Sequence, residues 1–365
     1  MLDILKQWYQ RHFTDPQTVI FAFMLIVGTL LIFVLNAHLM PILIAIIIAY
    51  LAEGMVAWLN RVNIHRTAAA SIFTTVMIAA ILLTFFVLLP LLSRQISDLF
   101  REMPIMLAKG QSLLLHLPEQ YPDYVSAEQI GEILTLVRTE LASMGQRVVS
   151  LSLSSVVGAI TFLVYMILLP LMVFFFLKDK ALIHGWLANF LPEERRLLRT
   201  VWAELDIKIA SYVRGKVIEV LIIWVASYIA FALMGLNFAM LLSLAVGLSV
   251  IIPYVGATVV TIPVALIAFF QWGFSSEFGW LMAIYAFIQF LDGNLLVPLL
   301  FSEVVNLHPV AIIVAVVIFG SLWGVWGVFF AIPLATLVNA VLNAWPKKDK
   351  EGADPHETGK GMVSN

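Results

Sequence analysis
The chain has 365 residues, 62% hydrophobic and 12% charged, with a formal net charge of −2 and no cysteine; its mean hydropathy is +0.99. Soluble domains carry about 25% charged residues, so this composition describes an all-α integral membrane protein, its apolar runs being too long for the alternating pattern of a β-barrel. The charge gives no reason to expect nucleic acid, no zinc, P-loop or dinucleotide motif occurs, and disulfides, thiol catalysis and iron–sulfur clusters are excluded.

Apolar stretches fall at about 18–36, 39–58, 67–92, 151–177, 216–235, 238–270, 279–301 and 308–344, which makes about eight membrane-embedded segments. The polar lead "MLDILKQWYQRHFTDPQ" precedes a run with no small-residue cleavage site, so the first run reads as a retained helix rather than a signal peptide. Residues 1–92 thus hold spans one to three. Segment 93–150 is an extracytoplasmic amphipathic helical segment, with Ser126 and Gln129 forming a capping box. Span four is 151–177, and 178–215 is a cytoplasmic connector whose "WAELDIKIASYVRGK" predicts an amphipathic helix leading into span five. Residues 216–345 form the next unit, and 346–365 read as a disordered cytoplasmic tail.

Lysine and arginine give the orientation. They crowd the 178–216 segment and the tail, whereas 93–149 carries five basic residues against seven acidic ones. Both termini and the connector therefore read as cytoplasmic, and 93–149 as outside. Span five leaves the cytoplasm at Lys216, span seven crosses once, and the tail ends inside. Parity then requires the long stretches at 238–270 and 308–344 to return to the side they entered from. Each is expected to be a broken helical hairpin, with tips at "IIPYVGA" (Pro253, Tyr254, Gly256) and "FGSLWGVWG" (Gly320, Gly324, Gly327). The two stretches resemble each other: both open with Asn (237, 306) and close with "IPVA" or "IPLA". One span plus one hairpin used twice, at 216–270 and 279–344 in opposite orientation, is the inverted-repeat pattern of secondary transporters.

Asp292 stands in lipid-soluble helix, where a carboxylate costs roughly 3 kcal/mol on insertion scales. No lysine or arginine lies between Lys216 and Lys347, so an internal salt bridge is not expected. Gln289 shares its helical face, Asn294 follows Gly293 where the helix could open, and Pro298 fits a broken span. Together these suit a small polar solute, a proton or a cation; the alternative is a hydrogen-bonded clamp between helices. Tyr254 and Gly256 offer either a gate or a simple turn. The glycines at 320, 324 and 327 offer a second tip or a tight helix crossing. His308 is a proton relay or a helix cap. Glu219 is a relay, or snorkels, or pairs with Lys216 or Arg214; Glu53 has the same bland readings. With no ligand cluster and no supported nucleophilic triad, the chain reads as a non-enzyme without metal or cofactor.

"SYVRGKVIEVLI", "LSVIIPYVGA", "QFLDGNLLVPLLF" and "NLHPVAIIVAVVIFGSLWGVWGVFFAIPLATLV" closely resemble the autoinducer-2 exporter family of bacterial membrane proteins, and the likeness extends to "QWYQRHFTDP" and "LMVFFFLKDK". The resemblance implies a multi-pass permease of the bacterial inner membrane that assembles as a homo-oligomer, a pentamer among the forms it allows. It implies autoinducer-2 export, or sodium- or lithium–proton antiport. The family's Pro–x–x–Gly turn falls on Pro253 and Gly256, its acidic span on Asp292, Asn294 and Pro298, and its "LHP" on Leu307, His308 and Pro309. Many relatives have Asp and Asn adjacent, whereas Gly293 intervenes here. The expected function is export of a small polar solute by alternating access. The alternatives are a cation–proton antiporter, and a non-transporting oligomeric scaffold or channel that recruits a partner through 93–149.

Overall fold
Backbone that crosses lipid must satisfy its own hydrogen bonds, which for a single segment means helix. The computed structural model describes residues 36–115, 155–189, 196–253, 255–301 and 308–344, with isolated positions between 131 and 143, and contains no strand among them. The first apolar run, most of 116–154 with its capping box, and the tail lie outside the described residues.

In chain order the helices are α1 (Asn36–Arg61), α2 (Arg66–Leu83), α3 (Leu89–Leu115), α4 (Ser155–Lys178), α5 (Lys180–Ala188) and α6 (Arg196–Leu233). There follow α7 (Ala239–Ser249), α8 (Val255–Trp272), α9 (Ser276–Leu291), α10 (Val297–Phe301), α11 (Pro309–Phe329) and α12 (Ala331–Ala344). Six stretches among the described residues are long and apolar enough to cross a bilayer, and Leu163–Lys178, Ala239–Ser249 and Ala331–Ala340 are shorter apolar helices.

Two widened turns join helices end to end. A π turn at Thr84–Leu88 links α2 to α3, and another at Asp292–Leu296 links α9 to α10. Each ends two residues before a proline, Pro90 or Pro298. A proline ring clashes with the carbonyl four residues back and offers no N–H; shifting the ladder to i→i+5 in the preceding turn accommodates both defects. The backbone N–H of Val297, accordingly, donates to the Asp292 carbonyl. Because the first π turn keeps the helix going, span three and the start of the extracytoplasmic segment are one rod, Arg66–Leu115, with no break at residue 92.

The first three helices that pack together are α1, α2 and α4. Ala45, Ala49, Ala52 and Val56 of α1 meet Ala69 and Ala70 of α2 and Val173 and Leu177 of α4. Small residues let backbones approach closely where lipid supplies no hydrophobic drive. At one end of this bundle Arg66 donates to both Glu53 oxygens (3.2 and 2.8 Å) and to the Leu177 carbonyl (2.7 Å), while Lys180 lies 3.3 Å from Glu53. Glu53 is therefore a tie among helix ends.

Helix α6, 38 residues long, is the axis of the second half. It packs against α7, α9, α10 and α12, and touches α1, where the Tyr50 hydroxyl donates to Asp206. Helices α7 and α8 form one hairpin whose inner faces, Leu242, Val246 and Val250 against Val260, Val264 and Ile267, share a core with Ile223 and Phe231 of α6. The base of this hairpin is held from outside it: Gln95 of α3 accepts from the Leu241 N–H (2.8 Å), and Lys109 of α3 donates to the Phe270 carbonyl (2.8 Å). In the second long stretch, Gly324 (φ 59°, ψ −137°) breaks α11, and α12 returns beside it. Only glycine enters that backbone region without strain.

Candidate intramembrane charge site
Both hairpin tips are closed by a glycine pressed against a carbonyl about two helical turns earlier. A Cβ on Gly256 would lie 1.7 Å from the Ser249 carbonyl oxygen, and one on Gly327 would lie 1.8 Å from that of Phe319. Gly256 and Gly327 both lie within the breaker motifs named above. Pro253 sits in the first turn, half-buried, and Tyr254 lies outside the described residues. In the second, a Cβ on Gly320 would meet Val328 at 2.9 Å.

Between the tips runs one face of α6. Helix α9–α10 lies antiparallel beside it, as the ring contacts Phe231–Tyr285 (6.2 Å) and Tyr212–Phe301 (5.6 Å) fix. Lys216 is 5% exposed and Glu219 1%. The Lys216 ammonium donates to Glu219 Oε2 (2.7 Å) and to the Val250 carbonyl (2.7 Å), and stands 5.3 Å from the centre of the Phe301 ring. Val250 ends α7, so this lysine holds the first tip by a carbonyl that the helix leaves unpaired. One turn earlier on α6 the Tyr212 hydroxyl donates to the Phe329 carbonyl (3.3 Å), just past the second tip. Lys216 and Tyr212 therefore tie both hairpins to the same stretch of α6.

The sequence reading took Lys216 as the cytoplasmic boundary of span five; the lysine stands in the interior of the unbroken helix Arg196–Leu233, buried and paired rather than solvated. The sequence reading expected no internal salt bridge for Asp292; among the described residues Lys216 pairs with Glu219. Asp292 is 8% exposed and opens the π turn, and Lys216 lies within Coulomb range of both its carboxyl and that of Glu219. Asp292 Oδ1 has no hydrogen-bond partner among the described residues.

On α9 the polar stripe continues. The Gln289 side-chain nitrogen is buried one turn from Tyr285, whose hydroxyl lies 3.0 Å from Thr261 Oγ1 and donates to the Ala257 carbonyl (3.4 Å) beside the first tip. Trp224 Nε1 and Ser227 Oγ on α6 are buried without partners among the described residues. The Lys216–Glu219 pair was one of the alternatives the sequence offered; Tyr212, Trp224 and Ser227 it did not single out. The spacing Lys-x-x-Glu at the mouth of an apolar run was the one available sign of the ion pair.

Asn294 does not join Asp292. Two residues along the helix from Asp292, it faces the opposite side, where it is exposed and its amide donates to the Phe290 carbonyl (2.9 Å). Gly293 and Pro298 are exposed beside it. His308 is exposed too and caps α11, its Nδ1 accepting from the Val310 N–H (3.3 Å). No group of three or more metal-ligating side chains occurs among the described residues.

Comparison with known proteins agrees with this architecture. The family model described as "AI-2E family transporter" matches residues 20–347. The Escherichia coli (strain K12) protein named "Putative permease PerM" is 47% identical over 346 residues, covering 95% of this chain and 98% of that protein. The Bacillus subtilis "Putative transport protein YueF" is 27% identical over 345 residues, covering 90% and 92%. A match across nearly the whole chain, on a multi-pass helical frame with broken hairpins, places this protein in the AI-2E transporter family.

Proposed function
We propose that the protein is a secondary transporter of the bacterial cytoplasmic membrane that exports a small polar solute, autoinducer-2-like in size and polarity, by alternating access. The observation that carries this reading is Asp292: a buried carboxylate with an unpartnered oxygen, in a widened helical turn, on a helix packed beside α6, which both hairpin tips touch. Intramembrane acids of this kind mark substrate or ion paths. The span-plus-hairpin units at 216–270 and 279–344 act as an inverted repeat, a reading supported by the matching glycine closures at Gly256 and Gly327. Both termini are cytoplasmic. The broad exposed apolar faces, such as that of α2, meet lipid or a second copy in a homo-oligomer. No chemistry is catalysed.

A cation–proton antiporter is the second reading, favoured by two buried carboxylates, Glu219 and Asp292, within reach of each other. Proteoliposome flux separates the two. Movement of a polar solute without a sodium requirement supports export, pH-coupled sodium movement supports antiport, and neither flux sinks both.

A further inference from the structure
The surroundings of the Lys216 ammonium are those a free cation would choose. A carboxylate oxygen and a backbone carbonyl lie at 2.7 Å each, and an aromatic face at 5.3 Å, with the residue 5% exposed. Carboxylate and carbonyl oxygens are the ligands of hard cations, and a ring face attracts ammonium groups. A second acid, Asp292, stands nearby with one oxygen unclaimed although the residue is more than nine-tenths buried. With all three groups ionised the cluster carries one positive charge against two negative ones. A buried ammonium needs acceptors for its three N–H donors, and Glu219 and the tip carbonyl together supply two of them.

We propose that Glu219, the Val250 carbonyl and the Phe301 ring, with Asp292 beside them, form an intramembrane monovalent-cation site that this chain fills with its own Lys216 side chain. The tethered ammonium does here what a bound sodium or potassium ion would do elsewhere: it neutralises Glu219 and holds the first hairpin tip. A free alkali cation is thereby shut out of this position in the intact protein. Removing the ammonium leaves two buried carboxylates without a counter-ion, and the position becomes open to a free cation.

The test needs no transport assay, so its failure is separable from failure of the proposed export. Full-length Lys216→Met is purified in detergent at pH 8 and melted in sodium, potassium or N-methyl-D-glucamine chloride at equal ionic strength. The variant is expected to melt higher in sodium or potassium, saturably, and the unaltered protein to show no saturable shift. Adding Glu219→Gln to Lys216→Met should abolish the dependence. Equal melting of Lys216→Met in all three salts, or the same shift in both proteins, overturns the proposal. Should Lys216→Met fail to fold in every salt, the folded protein still decides by mass-spectrometric footprinting with an amine-reactive ester. Lys216 is expected to label far more slowly than Lys109, and at least tenfold faster in Glu219→Gln than in the unaltered chain. Labelling of Lys216 at the Lys109 rate, or no acceleration in Glu219→Gln, overturns it equally.

Discussion

Gly256 approaches Ser249 so closely that a single added carbon would sit 1.7 Å from the serine carbonyl oxygen. No rotamer relieves such a clash, because both groups are backbone-fixed; the tip itself must open. Gly256→Ala and Gly327→Ala are each expected to destabilise by at least about 2 kcal/mol, the upper part of the range for overpacking. Gly279→Ala in α9, where nothing lies within 4 Å, should be neutral or mildly stabilising. Melting temperatures of the three variants check this, and an unchanged Gly256→Ala would mean that the tip is looser than its geometry.

Asp292→Asn keeps size and shape while removing a buried charge, and Oδ1 has no hydrogen bond to lose. Relief of desolvation should leave the melting temperature unchanged or raised. Flux of the exported solute should fall at least roughly tenfold, about 1.4 kcal/mol in the barrier. Both are read on one preparation. A destabilised variant with full flux per folded molecule would make Asp292 a structural clamp.

The Arg66 guanidinium serves Glu53 and the Leu177 carbonyl together. Arg66→Met orphans Glu53 Oε2 and the Leu177 carbonyl, Lys180 still reaching Oε1, whereas Glu53→Gln retains one acceptor and leaves the carbonyl bond intact. The arginine variant is therefore expected to cost more, by about 1 kcal/mol. Arg66→Lys should behave nearer to methionine than to arginine, because a single ammonium lacks the planar fork. Thermal melts of the three variants rank them.

The absence of cysteine makes topology directly testable. Single cysteines at Ser276 and His308, both exposed, should react with an impermeant thiol reagent from opposite sides: Ser276→Cys from outside and His308→Cys from inside. Labelling of both from one side would break the hairpin parity and the proposed inverted repeat together.

The hairpins were legible in the sequence because apolar runs too long for one helix must break, and proline and glycine mark where. Asp292 was legible because a lone acid in lipid-soluble helix stands out. The pairing of Lys216 with Glu219 was legible as one alternative, but its burial was not. A lysine at the head of an apolar run has the same signature whether it is solvated or packed within the protein, and counting basic residues favours the first. Only packing against Val250 and Phe301, both distant in sequence, distinguishes them. Asn294 was misplaced for a different reason. The sequence reading expected the helix to open at Gly293, whereas the chain stays helical there as a π turn, and a residue two positions on faces away from Asp292. Pro298 was the available sign, and Pro90 with its own π turn shows the same rule at work.

That π turn is also a phase shifter. A widened turn holds one residue more than the α-helix it interrupts, so every side chain beyond it is advanced by about 100° around the axis relative to an unbroken helix. Phe301 reaches Lys216 only because of that offset. Deleting Gly293, an exposed residue whose Cβ position is empty, would remove the extra residue and turn a different side of Val297–Phe301 toward α6, at the cost of leaving the defects of Pro298 unrelieved. The Lys216 ammonium would then lose its aromatic neighbour although Phe301 itself is untouched, and its labelling rate should rise while that of Lys109 stays constant. Insertion or loss of one codon here is thus equivalent to rewriting a whole face of the helix.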